Sequence, residues 1–289
     1  MLNHTFVHLP GVGPKTEESL WDKGIHSWDI FLGEFGRAAS PFGKRKHEAL
    51  VAHLELSREK LNGLDAGYFA RSMPSHSLWR LFADFRSCAA YVDIETTGLG
   101  GPDDYITTAA LYDGRRVFHY IHGQNLDRFA SDLMHYKLLV TYNGTCFDLP
   151  FIRNYFGIEL NQAHIDLRYL LASLGFRGGL KGCENSLGLS RGELEGVDGY
   201  FAVLLWNEYL ENRNDKALET LLAYNMADAV NLENLMVQAF NRKIENRPFL
   251  HDLRLPLPGS PSIDFQPDPG VLNKLRQMGS PAAWGGGWR

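Results

Sequence analysis

The sequence predicts an α/β protein with a mixed β-sheet flanked by helices and preceded by a small all-α module. Residues 105–112 and 116–121 are β-rich runs on either side of Asp113-Gly114, a dipeptide typical of a tight hairpin. A helical segment at 125–136 separates this hairpin from another β-rich run at 138–142. Strands, a helix, a strand and then further helices are the order expected of a mixed sheet with helices packed on it.

The first 61 residues are predicted to form the helical module. Leu9-Pro10-Gly11-Val12-Gly13-Pro14 is a tight turn from which a helix starts at Lys15 or Thr16. Lys23-Gly24-Ile25 ends that helix with a glycine and an apolar anchor. Shorter and longer helices are expected at 28–32 and 42–61. Residues 62–77 are predicted to be a linker, since they contain two glycines, a proline and three serines.

A second domain is predicted from residue 78 to 244. Its first helix, at 78–85, leads into a strand at 88–94. After the strand at 138–142 the pattern is mostly helical, with segments at 146–156, 166–174, 179–187, 199–211 and 215–241. Residues 245–289 are rich in proline and glycine, so we expect an extended or disordered tail in which only 270–278 is helical.

Composition excludes several classes of protein. A chain of 289 residues has room for one large domain and a small one. It contains no apolar run near the roughly 18 residues of a membrane span. The N-terminal residues lack the basic and apolar regions of a secretion signal, and the three cysteines form no Cys-x-x-Cys pair. We therefore expect a cytoplasmic protein that binds no membrane. The net charge of −5 decides little, because metal-binding carboxylates contribute to it.

Asp93-Ile94-Glu95 is the most informative motif of the chain. It follows the apolar run 88–92, and because side chains alternate along a strand, both carboxylates lie on the same face. Two like charges at the end of a buried strand repel each other and lose hydration unless a cation joins them. The motif therefore indicates a divalent-metal site, whereas the same tripeptide alone would more often be a solvated turn.

Two later segments carry similar chemistry. Asn143-Gly144-Thr145-Cys146-Phe147-Asp148 follows a predicted strand and brings Asp148 to the start of a helix, where an anion is favoured by the helix dipole. Tyr224-Asn225-Met226-Ala227-Asp228 lies in the last long helix. A spacing of four residues puts Tyr224 and Asp228 on the same helix face, one turn apart.

Together and in this order, the three segments resemble the Exo I, Exo II and Exo III motifs of the DEDD 3′–5′ exonuclease superfamily, which has the ribonuclease H-like fold. The third segment, Tyr-x-x-x-Asp, matches the tyrosine (DEDDy) subgroup. The histidine subgroup would need His at position 223, which is Ala. The resemblance covers residues 86–242, is strongest to stand-alone prokaryotic predicted exonucleases, and implies a five-stranded sheet.

The resemblance also implies roles for individual residues. Asp93, Glu95, Asp148 and Asp228 would hold two Mg²⁺ or Mn²⁺ ions, hard cations that prefer oxygen ligands, and Asp93 would bridge them. Tyr224 would orient the attacking water. The terminal nucleotide would be contacted by the remaining site residues: Thr96, Gly98, Leu99, Asn143 and Phe147.

The N-terminal turn resembles a helix-hairpin-helix motif over residues 5–34. In that family the backbone N–H groups of a Gly-x-Gly hairpin bind a DNA phosphate without reading base sequence. Here the matching positions are Gly11, Gly13, Lys15 and Thr16, and the basic residues Lys44, Arg45 and Lys46 would extend the surface. Single copies of this motif also serve as packing elements or protein contacts.

The sequence thus predicts a two-metal 3′–5′ exonuclease that acts on nucleic acid, with DNA favoured over RNA, in repair or processing. Two alternatives stay open: a non-catalytic nucleic-acid-binding or scaffold protein that keeps the fold, and a structure-specific endonuclease. A further carboxylate, Asp166, is interpreted as a helix N-cap in preference to a residue supporting the metal site. Nothing in the sequence distinguishes single-stranded from duplex substrates.

Overall fold

A computed structural model describes residues 1–190 and 192–278. Its strands are β1 (Ala89–Thr96), β2 (Ile106–Tyr112), β3 (Val117–Ile121), β4 (Leu138–Thr141) and β5 (Ala163–Asp166). The helices that precede β1 are α1 (Pro14–Asp22), α2 (Trp28–Leu32), α3 (Glu34–Ala39), α4 (Lys44–Asn62), α5 (Ala66–Ser72) and α6 (Phe82–Phe85). The later helices are α7 (Asp127–Leu133), α8 (Asp148–Phe156), α9 (Leu167–Ala172), α10 (Gly179–Ser186), α11 (Gly199–Asn212), α12 (Asp215–Ile244) and α13 (Pro269–Met278).

The strands form one five-stranded mixed sheet in the order β3-β2-β1-β4-β5. β1 pairs antiparallel with β2 and parallel with β4, while β2 and β3 form the antiparallel hairpin and β4 and β5 are parallel. The predicted α/β fold with a mixed sheet flanked by helices is confirmed. The fifth strand, β5, was expected from the resemblance alone, since its four residues give no clear strand pattern.

The two faces of the sheet carry separate cores. Tyr91 of β1 packs in the same cluster as the apolar residues of α12 from Met226 onward, whereas Val92 and Ile94 pack in the cluster that contains residues of α7 and α8. Since side chains alternate, Asp93 and Glu95 share the face of Tyr91 and lie towards α12. The register shifts between Glu95 and Thr96, so the strand is irregular where the polar motif ends.

Residues 62–77, which the composition predicts to be a linker, are partly helical. They include all of α5 and the beginning of a 3-10 helix at Ser75–Leu81. Asp65 caps α5 by accepting a hydrogen bond from the N–H of Tyr68, and Phe69 is fully buried. The glycines and serines of this segment predict a linker. The N-cap and the burial of apolar side chains stabilise a helix there instead.

The N-terminal helices pack directly on the sheet domain. Residues before β1, such as Phe6 and Trp28, and residues of the C-terminal half of α12, such as Phe240, belong to one hydrophobic cluster. The buried carboxylate of Glu17 accepts hydrogen bonds from the backbone of Phe6 and from Arg80. The predicted domain boundaries near residues 61 and 244 remain a prediction.

The C-terminal segment folds in part. A 3-10 helix covers Pro248–Leu253, and α13 agrees with the helix expected at 270–278. Residues 279–289 of the predicted tail lie outside the described residues. None of the helices described here is both long and apolar enough to cross a lipid bilayer.

Candidate metal centre

Three carboxylates from two elements meet on the α12 face of the sheet. Asp93 and Glu95 project from β1 and Asp228 from α12, and one ligand oxygen of each lies within 4.8 Å of the other two. Glu95 and Asp228 are buried, while Asp93 is partly exposed. The strand period explains the first pair; the packing of α12 against β1 brings the third carboxylate to them.

The three carboxylates carry like charges that repel one another. Burial raises the pKa of Asp93 well above its usual range, and repulsion from Asp228, Glu95 and Asp148 raises it further. A bound cation would relieve both effects. A set of carboxylate oxygens without thiolate or imidazole suits Mg²⁺ or Mn²⁺ better than Zn²⁺, so the residues fit the metal that the sequence predicts.

Asp148, the fourth predicted carboxylate, is not one of the three whose oxygens lie within 4.8 Å of one another. It is the first residue of α8, and its Oδ1 accepts a hydrogen bond from the N–H of Ile94 at 3.3 Å. Burial raises the pKa of Asp148 to about 7, although backbone hydrogen bonds act in the opposite direction. Repulsion from Asp148 is nevertheless among the causes that raise the pKa of Asp93.

The helix α12 contributes two more side chains next to Asp228. Tyr224 lies one turn earlier and is 5% exposed, with the Nζ of Lys181 5.8 Å from the centre of its ring. Asn225 is fully buried and donates hydrogen bonds to Asp93. Asn225 belongs to the third sequence motif, but no role was predicted for it. Its position next to Tyr224 on a buried helix is the feature of the sequence that points to it.

The loop between β4 and α8 is held by Asp166. The N–H groups of Asn143 and Thr145 donate to its carboxylate at 2.8 and 3.0 Å. Asp166 also accepts from the N–H of Arg168 and is the N-cap of α9, as predicted. Asn143 has a left-handed backbone with φ of 65°, a conformation that asparagine tolerates better than most residues.

An open cleft of about 500 Å³ runs between the loop after β1 and α8. It includes two of the predicted nucleotide-binding residues: Leu99, which is 63% exposed, and Phe147. Its other lining residues were not predicted: Gly100, Gly101, Pro102, Asp104, Cys146, Pro150, Phe151, Asn154 and Tyr155.

Asp104 shapes the loop on one side of this cleft. Its carboxylate accepts from the N–H groups of Gly100 and Gly101 at 2.9 and 2.6 Å. Gly98 packs so closely on Asp104 that a Cβ at this glycine would lie 2.3 Å from a carboxylate oxygen. The predicted residue Thr96 donates to the carbonyl of Gly98 at 2.6 Å. Thr96 and Gly98 therefore determine the shape of the loop.

The predicted phosphate-binding residues lie in the N-terminal helices, apart from the three carboxylates. Gly11 has a φ of 68° and Gly13 is the N-cap of α1. Both glycines and Lys15 are exposed, while Thr16 is half-buried. The Nζ of Lys46 lies 3.4 Å from the carbonyl oxygen of Gly11, so the basic start of α4 is next to the turn. A three-residue 3-10 helix precedes the turn.

The chain was compared with family models, solved structures and curated proteins. A family model described as the RNase H superfamily matches residues 90–240. Among solved structures, the family B DNA polymerase of the hyperthermophilic archaeon Pyrobaculum calidifontis matches with a TM-score of 0.42 and 19% sequence identity. That match covers 57% of this chain and 25% of the polymerase chain. The search of curated proteins found no match.

Proposed function

This chain belongs to the RNase H superfamily, whose model matches more than half of it, and we propose that it is a two-metal 3′–5′ exonuclease of the DEDDy type. The substrate class follows from the family, since a nuclease of this superfamily acts on nucleic acid; we propose DNA in preference to RNA. The observation that carries the proposal is the meeting of Asp93, Glu95 and Asp228 within 4.8 Å. Asp148 at the start of α8 supports it as the fourth carboxylate.

We propose that the carboxylates hold Mg²⁺ or Mn²⁺ in this centre. Bound ions would supply the positive charge that lowers the pKa of an attacking water and stabilises the oxygen that leaves. Asp93, Glu95, Asp148 and Asp228 would act as the ligands. Burial and repulsion from the other three carboxylates raise the pKa of Asp93, and bound positive charge would relieve that repulsion.

Tyr224 would orient the attacking water through its phenol group. It shares a helix face with Asp228 and is almost completely buried, so its ring is fixed by packing. A hydroxyl held in this way can accept or donate one hydrogen bond to a water in a defined direction. Replacement by phenylalanine would remove that hydrogen bond and keep the ring.

The terminal nucleotide would occupy the cleft between Leu99 and Phe147. Both residues line it, and aromatic side chains hold bases by stacking without a requirement for one base. The cleft is bordered by the loop that follows the metal-binding strand and by the helix that begins with Asp148. A nucleotide bound there would have its phosphate near the carboxylates.

We further propose that the N-terminal turn binds a phosphate of the nucleic-acid backbone. The exposed Gly11 and Gly13 leave room for close approach, and the positive end of the α1 dipole favours an anion. Lys15 and the adjacent Lys46 would add positive charge. This contact would hold the substrate without reading its sequence.

The experiment that tests the activity uses single-stranded DNA and RNA labelled at the 3′ or the 5′ end. Wild type, Asp93→Asn and the control Asp127→Asn, an exposed position on the opposite face of the sheet, are compared in Mg²⁺, Mn²⁺ and EDTA. We expect stepwise shortening from the 3′ end for wild type and the control, and its loss in EDTA and in Asp93→Asn.

Two results would contradict the exonuclease. Cleavage of substrates with blocked 3′ ends would indicate an endonuclease. Binding without cleavage of any substrate, by folded protein with metal present, would indicate a non-catalytic member of the superfamily.

A further inference from the structure

Asn225 lies between the helix and the strand that form the metal centre. It is the residue after Tyr224 on α12, and it is completely buried. Its amide nitrogen Nδ2 lies 2.6 Å from Oδ2 of Asp93 and 3.1 Å from the carbonyl oxygen of the same residue. One amide group therefore contacts both the side chain and the main chain of Asp93.

Chemistry fixes the orientation of this amide. A carbonyl oxygen can only accept a hydrogen bond, so the group that faces it must be the NH₂ of Asn225. The contact with Oδ2 is a hydrogen bond to a group that is charged when metal is bound, and such bonds are short and strong. This hydrogen bond uses one lone pair of Oδ2, so Oδ1 and the second lone pair of Oδ2 can still face a metal ion.

A contribution to fold stability does not explain why this buried position holds an amide side chain. The Oδ1 of Asn225 has no hydrogen-bond partner within the described residues, and a buried acceptor without a partner costs stability. An apolar residue of similar size would avoid that cost. A neutral donor also leaves the full negative charge of Asp93 to the metal, whereas a lysine or arginine would compete with it.

We propose that Asn225 is a positioning residue for the metal centre: its amide holds the Asp93 carboxylate in the orientation that binds the divalent ion. This inference rests on the proposed metal centre and adds a residue to it. Groups that orient metal ligands in this way typically change metal affinity by roughly 10- to 100-fold when they are removed.

The test measures Mn²⁺ binding by isothermal titration calorimetry, without substrate. The variants are Asn225→Ala, which removes the donor, and Asn225→Asp, which keeps the shape and replaces the donor with an acceptor. The control is Asn241→Ala, which removes an asparagine of the same helix whose amide contacts Leu255 far from the centre. Thermal unfolding in EDTA establishes that each variant is folded.

We expect Asn225→Ala to weaken Mn²⁺ binding at least tenfold and Asn225→Asp to change it by a similar factor, with the control unchanged. In nuclease assays the Mn²⁺ concentration for half-maximal rate should rise by the same factor, while the rate at saturating Mn²⁺ falls less. A residue that serves only packing would lower the unfolding temperature and leave Mn²⁺ affinity within twofold of wild type. That result in a folded Asn225→Ala variant overturns the inference.

Failure of the proposed function gives a different pattern. If wild type binds Mn²⁺ and cleaves nothing, the exonuclease proposal fails while the role of Asn225 stands or falls on the calorimetry. If Asp93→Asn binds Mn²⁺ as tightly as wild type, the centre itself is wrong, and so is the role of Asn225.

Discussion

The Oδ1 atom of Asp148 accepts a hydrogen bond from the backbone N–H of Ile94, 3.3 Å away. The first residue of α8 is thus attached to the strand that carries Asp93 and Glu95. Asp148 is buried, so its negative charge has lost most of its hydration. Protonation of the carboxyl group or a bound cation would reduce the free-energy cost of that burial.

In the metal-free protein, the buried carboxyl of Asp148 should become increasingly destabilising as pH rises from 4 to 7. Burial raises the folded-state pKa of Asp148 to about 7, above the ordinary value of 3.8 that applies when the chain is unfolded. Between these values the folded state binds more protons than the unfolded state, so the free energy of unfolding falls with pH. Urea unfolding in EDTA at several pH values measures this contribution as the difference between wild type and Asp148→Asn, and wild type should lose stability relative to the variant as pH rises. Equal slopes would contradict the pKa shift.

Asp228→Asn should weaken metal binding without lowering the stability of the metal-free protein. Removing one of three neighbouring carboxylates relieves repulsion, so the unfolding temperature in EDTA should stay the same or rise. Wild type should gain stability on addition of Mn²⁺, by about 2.7 kcal/mol at one hundred times the dissociation constant, and the variant should gain much less. Thermal unfolding with and without Mn²⁺ measures both effects, and an equal gain in the variant would contradict a role for Asp228 as ligand.

Gly13→Leu should weaken DNA binding without unfolding the protein. A Cβ at Gly13 meets no atom within 4 Å, so the side chain fits the fold but blocks close approach of a phosphate. Affinity for a DNA duplex should fall, and its dependence on salt should become weaker because a phosphate contact is lost. Gly199→Leu is the matched control, since Gly199 also begins a helix and has open space at its Cβ. Equal affinity and salt slope in Gly13→Leu would exclude the contact.

Cys146 should be the cysteine that a maleimide modifies first. It is exposed and lines the cleft, whereas Cys183 is buried and Cys88 is half-buried. Modification should block the cleft and inhibit cleavage, and Cys146→Ser should be active and resistant. Mass spectrometry of the labelled peptide identifies the site. Full activity after stoichiometric labelling of Cys146 would show that substrate does not use this cleft.

Glu17 and Glu18 should differ sharply in their effect on stability. Glu17 is buried and pairs with Arg80, while Glu18 is exposed and pairs with Arg247. Glu17→Gln leaves a largely buried guanidinium without its partner and should cost about 3–5 kcal/mol. Glu18→Gln should cost at most about 1 kcal/mol. Urea unfolding of the two variants measures the difference, and similar values would contradict it.

The polar motifs of the sequence contain the three carboxylates that the structure brings together. The alternation of side chains in a strand is sufficient to put Asp93 and Glu95 on one face. The proximity of Asp228, more than 130 residues later, required the resemblance to a known family. The contact between Asn225 and Asp93 depends on how α12 packs on β1, which no local pattern encodes.

Two elements, β5 and α5, are not evident from local sequence patterns. β5 has four residues and gains its stability from pairing with β4, not from its own propensity. α5 lies in a segment of linker-like composition and is stabilised by an N-cap and by the burial of Phe69. Both are cases in which tertiary context decides the local structure.

The shared hydrophobic cluster has a consequence for how the chain is made. Phe6 near its beginning packs in the same cluster as Phe240 and Leu250, and the ring of His26 stacks on Phe249 at 4.2 Å. During synthesis the N-terminal helices leave the ribosome long before these late residues exist. Part of the apolar surface of these helices therefore stays exposed until Phe240 and Leu250 have been translated. Contacts of such long sequence separation slow folding, and the first helices are the segment in which a chaperone would be needed.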